Sequence, residues 1–74
     1  MSTPTYKWRI HHRGPHLIRN DHTGDRYVGW YSWQPDEGKC VCLLFIVESE
    51  GLREFDSEEE CKAWMIATHR LLTS

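Results

Sequence analysis

The sequence predicts an α+β fold: an antiparallel meander of four to five strands with one C-terminal helix packed on one face. A short apolar run, Val41 to Val47, lies between the turn-forming stretches Pro35-Asp36-Glu37-Gly38 and Ser49-Glu50-Gly51. It is too short for a core helix, and its Val, Ile and Phe residues suit a pleated backbone. Tyr6 to His11 and Arg26 to Gln34 read as further strands on the two-residue period of a β-strand. From Ser57 onward, apolar residues recur at spacings of three and four, the period of an amphipathic helix.

Taken in order, Met1 to Thr5 reads as a flexible N-terminal arm and residues 6–74 as a single domain. Tyr6, Trp8 and Ile10 are expected to point inward, with Lys7, Arg9 and His11 facing water. Arg13-Gly14-Pro15 turns the chain, and Pro15 suits only the start or edge of the next strand, His16 to Asn20. His22-Thr23-Gly24-Asp25 is a turn. Arg26 to Gln34 follows, with Tyr27, Gly29, Tyr31 and Trp33 on one face and Val28, Trp30 and Ser32 on the other. Gly29 inside this strand marks a bulge or a close approach. The strand Cys40 to Glu48 has no polar face: Cys40, Cys42, Leu44 and Ile46 share one side, and Val41, Leu43, Phe45 and Val47 the other. A tight hairpin at Glu50-Gly51 is expected to return the chain through Leu52 to Phe55.

The helix opens on Ser57-Glu58-Glu59-Glu60, the spacing of a capping box. Its acidic first turn, and His69 and Arg70 in its last, complement the helix dipole. Cys61, Trp64, Met65, Thr68, Leu71 and Leu72 form the expected buried stripe, leaving Lys62 and the glutamates in water. One helix covers one sheet face, so the row of Val41, Leu43, Phe45 and Val47 needs a second cover. Folding the chain's own aromatics inward supplies one, so a monomer is expected rather than a homodimer.

Charge is unevenly placed. Residues 1–34 hold Lys7, Arg9, Arg13, Arg19 and Arg26 against Asp21 and Asp25, whereas residues 35–74 hold four basic and nine acidic residues. The net charge is −2. No stretch approaches the ~20 apolar residues of a membrane span, and the N-terminus lacks a signal-peptide core. A cytoplasmic location is expected, and three cysteines, an odd number, fit a reducing compartment better than a disulfide framework.

Chemistry has few footholds. Cys40, Cys42 and Cys61 are the metal ligands to consider, as a small structural zinc-binding domain. Two cysteines one residue apart on a strand face lie roughly 6.5 to 7 Å apart along the chain, too wide for the usual zinc knuckle. They read instead as small core residues, with no metal and no cofactor expected. His11-His12 with His16 straddles Gly14-Pro15, which breaks the helix that a paired metal grip would need. No nucleophile–base motif or phosphate loop is present, so an enzyme is not expected.

Binding is the remaining class. A surplus of aromatic and apolar surface points to a protein partner, with Lys7, Arg9, Arg13, Arg19, Trp30, Tyr31 and Trp33 as the candidate contact residues. The same mixture of cations and rings gives the alternative, a nucleic-acid-binding module built on the basic N-terminal half. A methyl-lysine cage of Trp30, Tyr31 and Trp33 would require all three rings on one side, against the strand's alternation. In outline, a small stand-alone meander with one helix and no catalytic residues resembles the accessory proteins of phages and mobile elements, anti-CRISPR inhibitors among them. That resemblance implies a protein that occupies a surface on a host defence complex, and it assigns no residues.

Overall fold

The computed structural model describes residues 4–12 and 14–73. The elements follow the chain as β1 (Thr5–Arg9), β2 (His16–Asp21), β3 (Gly24–Gln34), β4 (Lys39–Leu44), β5 (Arg53–Phe55) and α1 (Glu58–Thr73). The five strands form one antiparallel sheet in sequence order, β1-β2-β3-β4-β5. The helix packs against β3, β4 and β5, completing the α+β meander. The expected arm falls largely on residues outside those described, and Thr5 already pairs with Asn20 in β1. Among the described residues, no helix is long and apolar enough to cross a membrane.

Short turns carry the meander. Asp21 pairs with Gly24 across a tight His22-Thr23 turn, in which the Asp21 carboxylate accepts from the Thr23 backbone N–H at 2.8 Å. Pro35 to Gly38 joins β3 to β4, and Gly38 takes φ 65° to donate its N–H to the Gln34 carbonyl at 2.9 Å. A left-handed residue at that point favours glycine.

The helix side of the sheet holds the core. Cys40, Cys42 and Leu44 of β4 are fully buried there beneath Cys61 and Met65, with Leu17, Val28 and Tyr31 around them. Gly29 is the close approach: a Cβ at that position would meet the Leu43 carbonyl oxygen, and the Met65 methyl at 3.0 Å. The predicted cap is in place, the Ser57 hydroxyl accepting from the Glu60 N–H at 3.2 Å.

Several expectations are corrected. The strand begun at Cys40 ends at Leu44, and Phe45–Glu50 forms 3₁₀ turns that meet at a non-helical Val47. The cause lies in β3. Leu17 pairs with Gly29 but Ile18 with Tyr27, so Val28 is the extra residue of a bulge. The β3–β4 ladder stops at Gly29–Leu44, where that bulge bends the strand away and leaves β4 without a partner. Phe45 and Ile46 are accordingly 40% and 48% exposed rather than buried. For the same reason the return to β5 is not a tight hairpin; it spans the 3₁₀ turns and reaches Arg53 opposite Cys42.

The bulge also revises the faces of β3, because Tyr27 leaves the side it was expected to share with Gly29, Tyr31 and Trp33. Ile10 lies beyond the end of β1 and is exposed instead of continuing the row of Tyr6 and Trp8. In α1 the buried line is Cys61, Met65 and His69. Trp64 is only half-buried, against Phe55, while Leu71 and Leu72 are exposed. Successive steps of four residues follow one ridge of a helix, and the ridge that meets the sheet is the one through Met65.

This geometry sets a contrast between two helix positions. Met65→Ala is expected to cost about 2–5 kcal/mol in urea denaturation, as a fully buried truncation. Leu71, 75% exposed, should change stability by no more than ~0.5 kcal/mol when made alanine. Equal costs at the two positions would contradict the docking described.

Candidate functional site

Among the described residues, no helix lies on the second face of the sheet. Strand register places Lys7 and Arg9 of β1, His16 of β2, Tyr27 and Trp30 of β3 and Leu43 of β4 on this open side. At one end the chain forms a shallow groove of about 330 Å³ lined by His11, His16, Tyr27 and Phe45. The His11 ring lies 4.1 Å from that of His12 and 4.7 Å from that of His16, centre to centre. His16 donates from Nδ1 to the Gly14 carbonyl at 3.1 Å and meets Tyr27 edge-on at 5.7 Å. Tyr27 is 50% exposed and accepts from Arg9 at 3.4 Å through its hydroxyl.

Most of the charge here is already paired. Lys7 sits 3.3 Å from Asp25, whose carboxyl is held below its ordinary value first by the Asn20 amide and then by Lys7. Lys39 meets Glu54 at 3.4 Å across β4 and β5. Between these pairs the open face carries Tyr27, Trp30 and Leu43, with Arg9 at its groove end.

The residues singled out from sequence divide between the two sides. Lys7, Arg9 and Trp30 lie on the open face. Arg19, Tyr31 and Trp33 lie on the helix side, where Tyr31 is buried. Trp30 thus faces away from Tyr31 and Trp33, and the three rings form no cage. Arg13 lies outside the described residues. His11, His16 and Phe45 were not singled out as contact residues, because only the bulge and the 3₁₀ turns bring them to Tyr27.

The structure brings the three thiols together. Cys40, Cys42 and Cys61 are all free and buried, with Cys61 against the other two. Hydrogen bonding to Cys42, together with burial, pushes the Cys61 thiol far up, and burial raises Cys40. Among the described residues, no group of three or more His, Cys, Asp or Glu side chains is placed to hold a metal ion.

His69, expected to complement the helix dipole in the last turn, is buried in the structure. Its Nδ1 is 2.8 Å from the Tyr6 hydroxyl, and the rings meet edge-on at 5.7 Å. Arg70 lies over the Tyr6 ring, its guanidinium 5.2 Å from the ring centroid. Burial lowers the His69 pKa, and the nearby Arg19 charge lowers it further. The unfolded chain therefore takes up a proton at His69 near the ordinary value of 6.5, while the folded chain still resists it. Stability from this residue is present above that pH and is lost as the pH falls below it. Urea denaturation from pH 7.5 to 5 should show a steeper loss for the natural protein than for His69→Gln. Identical slopes would show that His69 is not buried against Tyr6 and Arg19.

The chain matches no family model, no curated protein and no solved structure.

Proposed function

We propose that this chain is a non-enzymatic binding module whose open sheet face docks a protein partner. The observation that carries this reading is the composition of that face. Tyr27 and Phe45 are exposed around the groove, with Trp30 and Leu43 half-buried beside them and, among the described residues, no helix above them. Aromatic anchors beside a concave site, rimmed by polar groups, are what protein interfaces concentrate. In the phage-accessory reading, the partner is a subunit of a host defence complex, and the module inhibits by occupying its surface.

One observation favours nucleic acid as a second reading. Arg9, His16, Tyr27 and Trp30 share the open side, so a cation and stackable rings do stand together. Against it, Lys7 and Lys39 are neutralised by Asp25 and Glu54, which leaves little of the positive stripe that tracks a phosphate backbone.

Both readings are tested by purifying the tagged protein from its native host with and without nuclease, beside Tyr27→Asp, Phe45→Asp and Leu71→Asp variants that keep the natural melting temperature. A stoichiometric protein that survives nuclease, is lost with either open-face variant and is kept with Leu71→Asp is the expected result. Material removed by nuclease would favour the second reading. A partner retained by both open-face variants would overturn the assignment of the face.

A further inference from the structure

On the opposite side of the sheet, we propose that Arg19 of β2, Arg26 of β3 and Arg70 of α1 form a binding site for a phosphate-type oxyanion beside Tyr6. Arg19 and Arg26 are direct cross-strand partners, so their side chains leave the sheet on the same side. Like charges directly opposite on adjacent strands repel. Tyr6 is the partner of Arg19 on the other flank, and Arg70 lies over the Tyr6 ring. Three arginines from three elements thus adjoin on the helix side, Arg19 and Arg26 as cross-strand neighbours and Arg19 and Arg70 each beside Tyr6.

Their counter-charge within the fold is small. Asp21 approaches Arg19, but its Oδ2 is 4.0 Å from Nε, beyond a hydrogen bond. The other oxygen, Oδ1, is taken by the Thr23 backbone N–H and hydroxyl. Arg19 Nε, ion-paired to Asp21, is left buried without a hydrogen-bond partner. Among the described residues, no carboxylate stands within ion-pair distance of Arg26 or Arg70. A buried, unsatisfied donor on a cation, next to two further cations, is a local environment that an anion would complete.

Phosphate suits the site better than carboxylate. Guanidinium forks pair with phosphate oxygens bidentately, and a phosphate dianion offers three oxygens to three arginines where a carboxylate offers two. Because the cluster lies on the helix side, it is independent of the docking face proposed above, and either reading can fail alone.

The test follows the Arg Nε–H signals and the melting temperature of the full chain during titration with inorganic phosphate, pyrophosphate and adenosine monophosphate. Sodium chloride and acetate at matched ionic strength are the controls. Saturable binding that moves the Arg19 Nε–H signal is expected, weakened about tenfold or more by Arg26→Gln or Arg70→Gln. Both are surface substitutions that should leave the fold intact. Tighter binding of the nucleotide would assign the site to a phosphorylated ligand, and equal binding to the phosphate group alone. Shifts that chloride reproduces, or that survive the Arg26→Gln/Arg70→Gln double variant, would overturn the proposal.

Discussion

The structure depends on a single ridge of one helix. Cys61, Met65 and His69 stand four residues apart, and each meets a different part of the sheet. Cys61 lies against Cys40 and Cys42 of β4, Met65 against Gly29 of β3, and His69 against Tyr6 of β1. Eight residues of helix advance about 12 Å, and three strand spacings cover about 14 Å. A helix crossing the strands, with the lengths of the Tyr6 and His69 side chains closing the difference, therefore lets one ridge reach from β4 to β1. Gly29 makes the middle contact possible, since any side chain there would displace Met65 or the β4 backbone. Among the described residues no second helix shares this task, so the ridge alone holds the helix layer to the sheet.

Two consequences follow for function. One helix leaves one sheet face uncovered, and the bulge at Val28 turns Tyr27 toward that face to meet His16. A meander in sequence order also turns position along the chain into position across the sheet. The basic N-terminal residues come to the β1 edge, and the acidic residues of 48–60 to the β5 edge and the start of α1. The charge asymmetry of the sequence thus becomes an asymmetry between the two sides of the molecule. Lys62 links them locally, its ammonium lying about 6 Å from the rings of Trp8 and Tyr31.

Whatever depends on neighbours in sequence was legible. The Ser57 cap, the Pro35–Gly38 turn, the inward Tyr6 and Trp8 and the pairing of β3 with β4 all follow from local residue chemistry. Whatever depends on register was not. Gly29 signalled a bulge or a close approach, but the place of the bulge opposite Leu17 and Ile18 is set by the fit of β2 to β3, and no residue of β4 announces that its ladder will end at Leu44. The apolar run continued past that point and disguised the change from strand to 3₁₀ turn. The burial of His69 does have a signal in the sequence, its four-residue step from Met65 on the ridge begun by Cys61. The opposition of Arg19 and Arg26 had none, because it exists only once β2 and β3 are aligned.

The central claim, that α1 seals the cysteine face of β4, is tested most directly by thiol labelling. Cys40, Cys42 and Cys61 are spread over β4 and the helix, and all three are buried only while the ridge is docked. Ellman's reagent added to the native protein should label them at the rate of global unfolding, slowing and speeding with stability as urea is varied. All three should react at once after denaturation. Rapid labelling of Cys40, Cys42 or Cys61 in the native protein, independent of urea, would contradict the docking on which this account rests.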